Sequence, residues 1–555
     1  MTLFNEMPDC TRRYESEQQI LETHAAHIER MAHCWVAFYK SGQDFGTNTY
    51  TDRDFLDAYL AYYFSVNVPK VQLVLLDLAR RGLLPNQLNV LDLGVGTGAT
   101  AVGVLDFVVA WEEVCALYNQ ERPCGGVRLA GMDRSETALE YASKVVTAYG
   151  QALKARAEAM GESSTSSVPG WAVSAEWQQL NLNSEWPSPP FEPNVVFLMN
   201  TLNELNDTGR CRVAEYLSNL TEGTLVVAVE PGKEELARSL MGWRPELVSA
   251  GCFTSLAPCG EHSDLMHCER CWHMRRESMH QHRLYSAFVE ACNRHIQSNT
   301  DRLDPFSNKL LSWSYFILRK EEPARLPSKH IRTSIRHGER LIEPTALRYI
   351  GSYRDREPVD DPPDNVKSAE YLKVCPSVFD NTEGLVVKRE PGTQIPPLSY
   401  GQDFVIRNAT VFASKVNGVF ALIPDAETVF DSGRQTDKEN VFLPEYSDET
   451  RAAVDAIAFR IFGFPSMRDF QHQTLARVLR GESILAIAAT GGGKSECFIL
   501  PAMLLPGVTI VVSSLKSLMA DQYEQRIKKR FGLDHLATYI NGDVSARERQ
   551  HRLRR

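Results

Sequence analysis

No run of about eighteen consecutive apolar residues occurs in this chain, so no membrane-spanning helix is expected. The opening residues, MTLFNEMPDCTRRYESEQQ, lack the apolar stretch of a secretory signal. Positive charge is not in excess. The net charge is −10 at pH 7, so the chain as a whole is not a polycation built to coat nucleic acid. Its 12 cysteines are mostly scattered rather than spaced as a disulfide framework, which suits a reducing cytoplasm. One further absence is chemical. No Asp-Glu pair follows Lys494, although hydrolysis at a phosphate-binding loop needs an acidic group to hold the metal and orient water.

Against these absences stand 555 residues, 43% of them apolar, enough for roughly three or four globular domains. Basic residues are local, in the run Arg319 to Arg340 and in the tail SARERQHRLRR. Either run could face phosphates, and either could be a solvated segment. Residues 488–495 read AATGGGKS. Backbone N–H groups of Thr490, Gly491, Gly492 and Gly493 are expected to cradle phosphates. Lys494 would reach the outer ones and Ser495 would hold Mg²⁺. The strict form of this loop has Gly at position 488, where Ala stands. SILAIAA before the loop reads as a buried strand and SECFILPAMLL after it as a helix.

Upstream, FGFPSMRDFQHQTLARVLRGES places Arg468 and Gln471 one helix before the loop; downstream, TIVVSSLKSLMADQ reads as strand, turn and helix start. Together these motifs resemble the first motor domain of RecQ-type DNA helicases. Met467, Ala489 and Ser514 depart from that family's pattern. The resemblance implies that Arg468 stacks on adenine and Gln471 reads its edge. It also implies that Ser513, Leu515, Ser517 and Asp521–Gln522 lie along single-stranded DNA or the ATP-coupled turn. The chain stops within sixty residues of Ser495. The expectation is therefore an interrupted motor that lacks the acidic motif and second lobe, binds ATP weakly and does not unwind DNA alone.

A second motif lies at residues 88–100, LNVLDLGVGTGAT. Apolar residues lead into Gly94-x-Gly96-x-Gly98, and a helical pattern follows: a strand, a tight turn and a helix start. Nicotinamide-binding and methyl-donor folds both use such a turn, and the acidic Asp92 before the first Gly leans towards S-adenosylmethionine. The next strand, VRLAGMDRS, ends in Asp133, placed to accept both ribose hydroxyls. PNVVFLMNTLNEL, GTLVVAVEPGKEELARSLM and SWSYFILRK continue the alternating order of a doubly wound sheet.

Asp92–Gly98, Leu202–Leu205 and Glu230–Gly232 resemble the methyltransferase-like proteins of the mitochondrial small ribosomal subunit and their bacterial relatives. By that resemblance Asp92, Gly94, Gly96, Gly98 and Asp133 hold the methyl donor, and Asn200 and Glu204 line its pocket. APCGEHSDLMHCERCWH, at 257–273, clusters three thiols with histidines, a metal-binding pattern in a cytosolic chain. The same resemblance implies a [4Fe-4S] cluster on Cys259, Cys268, Cys271 and, from VCPSVFD, Cys375. Cys252 is the reserve ligand, and tetrahedral Zn²⁺ stays open as the alternative. No acceptor-site motif is found, so the catalytic residues are left unassigned.

The remaining segments complete the organisation. Residues 1–84 read as helical, and 85–322 as the methyltransferase-like domain with its Cys cluster. Short alternating strands fill 335–432, as in a small OB-like β-barrel; 433–450 is a polar linker and 451–555 the partial motor lobe. The fold class expected is α/β multidomain: a doubly wound methyl-donor-binding sheet, a small β-barrel-like domain and a truncated RecA-like lobe. Two functions fit. One is a cytoplasmic nucleic-acid enzyme with S-adenosylmethionine and ATP·Mg²⁺ sites, acting on DNA or structured RNA. The other is a non-catalytic RNA- or DNA-binding or ribosome-assembly factor.

Overall fold

The computed structural model describes residues 51–118 except 81, 124–159, 174–257 except 233 and 252, 275–278 and 310–321. It further describes strands between 338 and 431, most of 443–549 and isolated positions between 19 and 28. The first unit is an eight-stranded sheet. Its chain order begins with α1 (Arg53–Tyr59), a π-helical turn (Leu60–Phe64) and α2 (Ser65–Arg80), then β1 (Gln87–Leu93), α3 (Ala99–Leu117), β2 (Gly126–Asp133), α4 (Glu136–Ala159) and β3 (Ser174–Gln179). It continues with β4 (Val195–Met199), α5 (Asp207–Ser218), β5 (Leu225–Pro231), α6 (Glu234–Gly251), β6 (Phe253–Ala257), β7 (Arg275–Ser278) and β8 (Leu310–Lys320).

The strands lie in the order β3-β2-β1-β4-β5-β8-β6, with β7 also paired to β8. The five strands β3 to β5 are mutually parallel, and β8 runs antiparallel to β5 and β6. The sequence explains why this sheet is covered on both faces. VVFLM and LVVAVEP are apolar at nearly every position, as strands buried on two sides require. Val195, Phe197 and Met199 enter one core with α2 and α3; Val196 and Leu198 enter the other with α5 and α6. Helices α1 and α2 share the first core, so residues 53–80 close one face of the sheet. Their tight seat on α3 depends on Gly103, where an added Cβ would meet Val71 at 2.8 Å.

The chain leaves β1 towards β2 and β3, then returns to β4 on β1's other side. The strand order therefore reverses between β1 and β4, and the crevice beyond their carboxyl ends is where such sheets bind ligands.

A second eight-stranded sheet comprises β9 (Arg340–Leu341), β10 (Thr345–Arg354), β11 (Glu370–Pro376), β12 (Leu385–Arg389), β13 (Asp403–Arg407), β14 (Ala409–Ala413), β15 (Phe420–Ile423) and β16 (Val429–Asp431). Its order is β16-β13-β10-β11-β12-β15-β14-β9. The ends of this path approach each other, since Arg340 of β9 pairs with Glu427 just before β16 at 2.6 Å. An OB barrel has five strands; this sheet has eight.

The C-terminal part holds α7 (Asp448–Phe462), α8 (Asp469–Leu479), α9 (Glu496–Leu504) and α10 (Lys516–Asp521). Ser447 caps α7 by accepting from the Thr450 N–H, and Gly463 ends it at φ +76°. One sequence expectation fails here. SILAIAA is not a buried strand: Leu485 is 86% and Ile487 88% exposed, and residues 482–489 join no ladder among the described residues. The same holds for 508–513, with Val508 91% and Val512 91% exposed. An apolar strand is buried only when neighbouring strands and helices cover it. Each uncovered Leu, Ile or Val forgoes about 1.5–3 kcal/mol of burial.

Candidate functional site

The first site forms at the strand-order reversal. Gly94, Gly96 and Gly98 all take positive φ, at +87°, +52° and +85°. Gly94 is irreplaceable twice over, because its conformation is left-handed and an added Cβ would run into the Thr201 side chain. Thr201 Oγ1 donates to the Leu93 carbonyl at 2.9 Å and so ties the end of β4 to the end of β1. Asp133, closing β2, accepts from the Gly96 N–H through Oδ2 and from the Ser135 N–H through Oδ1, both at 2.9 Å. Burial raises its pKa, and those backbone bonds oppose the rise. Asn200 sits just past β4 in a left-handed conformation at φ +55°.

The sequence-predicted residues Asp92, Gly94, Gly96, Gly98, Asp133 and Asn200 are thus brought together around one crevice. Both Asp92 carboxylate oxygens, Thr97 Oγ1 and Asn200 Oδ1 are buried without a well-formed hydrogen bond. Burial pushes Asp92 up to about 7; the Thr100 hydroxyl lowers it and the Asp133 charge adds to the rise. Glu204 lies across the mouth, 3.7 Å from Arg134.

Tertiary structure adds residues that sequence reasoning did not assign. The helices α1 and α2 carry Tyr59, Asn67 and Lys70 onto the crevice. Lys70 Nζ donates to Asn67 Oδ1 at 2.8 Å, and Asn67 Nδ2 donates to the Tyr59 hydroxyl at 3.3 Å. The Tyr59 ring stacks on Tyr63 with centroids 5.3 Å apart. Burial raises the Tyr59 hydroxyl's pKa, and the charges of Glu204, Asp133 and Asp92 add to it, which places that hydroxyl among the acids of the cradle. Burial pulls Lys70 down to about 8, against the attraction of Glu230. Glu230, at the end of β5, is pushed up to about 8 by burial although Leu202 and Asn203 donate to it. A signal was there to read: Asn67 and Lys70 interrupt the apolar face Val66, Val68, Val71 and Val74 of one helix.

The second site surrounds the loop at 488–495. Arg468 and Gln471 open α8, with the Arg468 N–H donating to Gln471 Oε1 at 2.8 Å. Both side chains reach the loop, Arg468 Nη1 to the Gly492 carbonyl at 3.0 Å and Gln471 Nε2 to the Gly493 carbonyl at 2.8 Å. Lys494 Nζ donates to the Ala488 and Ala489 carbonyls at 2.6 and 3.1 Å. Ser495 begins α9. So Arg468, Gln471, Gly492, Gly493, Lys494 and Ser495 form one constellation; Thr490 and Gly491 lie outside the described residues. Ser517 lines a cleft of about 550 Å³ together with Lys516, Tyr539, Asn541 and Asp543.

The metal expectation falls mostly outside the described residues, which exclude Cys259, Cys268 and Cys271. Cys375 occupies β11, opposite Arg348 of β10. Among the described residues no group of three or more His, Cys, Asp or Glu side chains is arranged to hold a metal ion.

Residues 468–555 match the DEAD/DEAH box helicase family. They are similar to ATP-dependent DNA helicase Q-like 5 of Arabidopsis thaliana, 44% identical over 84 residues, 15% of this chain and 8% of that protein. RecQ-like DNA helicase BLM of Xenopus laevis is 42% identical over 87 residues, 16% of this chain and 6% of that protein. ATP-dependent DNA helicase RecQ of Pasteurella multocida is 39% identical over 90 residues, 16% of this chain and 14% of that protein. The chain therefore spans only a small fraction of the length of these relatives. Among solved structures, magnesium protoporphyrin IX methyltransferase from Synechocystis is 13% identical, with a TM-score of 0.23, covering 44% of this chain and 90% of that one. A SAM-dependent methyltransferase from Methanosarcina mazei is also 13% identical, TM-score 0.22, covering 44% and 97%. The doubly wound fold itself rests on the strand order and pairing given above.

Proposed function

We propose that this chain joins a methyl-donor site to an ATP site of the RecQ helicase type and acts on nucleic acid, DNA above all. The observation that carries the donor reading is the crevice between β1 and β4. Three glycines there hold a backbone cradle, Asp133 stands at the end of β2, and buried acceptors on Asp92 and Asn200 make no well-formed hydrogen bond. That set fits S-adenosylmethionine. Asp92 and Asn200 would accept from its ammonium group, and Asp133 would accept from its ribose hydroxyls. When bound, the donor supplies an electrophilic methyl group to a nucleophilic acceptor. The chain's own contribution is to fix the donor's orientation and exclude water with Tyr59 and Tyr63. Lys70, pulled down to about 8 by burial, would take up the acceptor's proton in its neutral form, which prevails above about pH 8.

At the second site, Lys494 would exchange its bonds to the Ala488 and Ala489 carbonyls for phosphate oxygens, and Ser495 would hold Mg²⁺. Arg468 and Gln471 would meet the adenine. The cleft beside Ser517 and Lys516 would take the single strand. The sequence spacing of Cys259, Cys268, Cys271 and Cys375 supports an iron–sulfur cluster or zinc as a structural staple, and scattered cysteines favour the cytoplasm.

Calorimetric titration of the whole chain tests both sites. S-adenosylhomocysteine should bind and Asp133→Ala should abolish that binding. A non-hydrolysable ATP analogue with Mg²⁺ should bind and Lys494→Ala should abolish it. Absence of binding by the unaltered chain would remove the corresponding reading.

A further inference from the structure

The two cradles stand at the ends of a continuous packed path. Helix α3 is capped at its start by Gly98, in the donor loop, and its 19 residues, Ala99–Leu117, extend away from it. Its far end reaches the helicase segment. Leu117, 0% exposed, belongs to the same apolar cluster as Val454 and Ile457 of α7, Leu475 of α8 and Leu500 of α9. The neighbouring Tyr118 hydroxyl donates to the Leu504 carbonyl at 3.3 Å, the last residue of α9. The first residue of α9, Glu496, follows Lys494 and Ser495 directly.

Charge fixes the same contact. Arg460 of α7 donates through Nη1 to Asp106 Oδ1 and through Nε to Glu113 Oε2, both at 2.7 Å and both on α3. Asp106 also accepts from Gln72 of α2 at 2.7 Å and from the Tyr149 hydroxyl of α4 at 2.8 Å. One helicase-side guanidinium thereby enters a network that joins α2, α3 and α4. Of these, α3 forms the donor loop's helix and α2 carries Asn67 and Lys70. On the other side, Asp455 of the same α7 accepts from the Met467 N–H at 2.6 Å and so fixes the turn that presents Arg468. Two charge-assisted bonds from one guanidinium to two carboxylates of α3 tie the helices together, so a displacement of α7 is carried to α3.

We propose that Arg460 is a positioning residue for the methyl-donor site, and that through its grip on α3 donor binding and ATP binding depend on each other. The inference rests on the two sites proposed above. Coupling of this type is reciprocal, because each ligand must change the other's affinity by the same factor.

The experiment is calorimetric titration of S-adenosylhomocysteine into the full chain, with and without a saturating non-hydrolysable ATP analogue and Mg²⁺. Donor affinity should change by about fivefold or more, and the reverse titration should give an equal factor. Arg460→Met should bring that factor to one while both ligands still bind, and Arg460→Lys should restore part of it. A purely structural arginine would lower both affinities without altering the factor. Should Arg460→Met fail to fold, Glu113→Gln removes one of the two pairings at constant size and should reduce the factor. A factor of one in the unaltered chain, with both ligands bound, overturns the proposal and leaves the two sites standing. No S-adenosylhomocysteine binding at all overturns the donor site and this inference together.

Discussion

Replacing Asp92 with Asn should stabilise the protein and weaken donor binding at once. Asp92 is 4% exposed, and neither carboxylate oxygen has a well-formed hydrogen bond. Burial raises its pKa from the ordinary 3.8 to about 7, against the Thr100 hydroxyl and with the help of the Asp133 charge. The folded state thus favours the protonated form. In that case the contribution of Asp92 to stability is full below about pH 4 and is lost as pH rises to about 7. A rise of that size corresponds to about 4 kcal/mol at pH 8, and relaxation around the charge brings the expectation to about 2–4 kcal/mol. Asn keeps the shape and removes the charge, so Asp92→Asn should unfold later at pH 8 by about 5 °C or more. The gain should shrink as pH falls below about 7 and approach zero only below about pH 4, where the carboxyl becomes neutral in the unfolded state as well as the folded one. Binding moves the other way. Loss of a charge-assisted bond to the donor's ammonium group, about 1.5–3 kcal/mol, weakens S-adenosylhomocysteine binding by about tenfold to a hundredfold. Thermal unfolding from pH 4 to 8, beside calorimetric titration, reads both effects. A variant less stable than the parent at pH 8, or a gain independent of pH, would refute the account of Asp92 as a buried, unpaired acid awaiting a cation.

Two further outcomes follow from the same geometry. Gly94→Ala should cost at least about 1–2 kcal/mol from its left-handed backbone alone and, through the contact with Thr201, should also remove donor binding; thermal unfolding and titration report the two losses. Lys70→Met should stabilise the chain below about pH 8, where the buried amine would otherwise be charged, and the advantage should fade as pH rises towards 10.5, as a pH series of unfolding midpoints will show.

Local chemistry made several features legible. Strands buried on both faces announce themselves as nearly unbroken apolar runs, so the parallel strands β4 and β5 could be read directly. The glycines at 94, 96 and 98 demand a backbone that other residues resist, and Asp133 follows at the end of the next strand. The loop at 488–495 is equally local, since its glycines and lysine are contiguous. The segments 482–489 and 508–513 show the limit. Their sequences ask for burial, yet burial is granted by neighbours and not by the segment itself, and Ile487 stands exposed.

By itself the sequence determined which backbones bend at the two cradles and which strands need covering, because steric permission and apolarity are properties of residues. Only the tertiary structure decided what meets at those cradles. Tyr59, Asn67 and Lys70 lie more than sixty residues before Asp133, and no local pattern brings them to it. Arg460 reaches Asp106 across 354 positions of sequence. Such meetings arise because burying charge is tolerable only where the fold supplies an opposite charge, and that supply depends on how helices pack around the sheet.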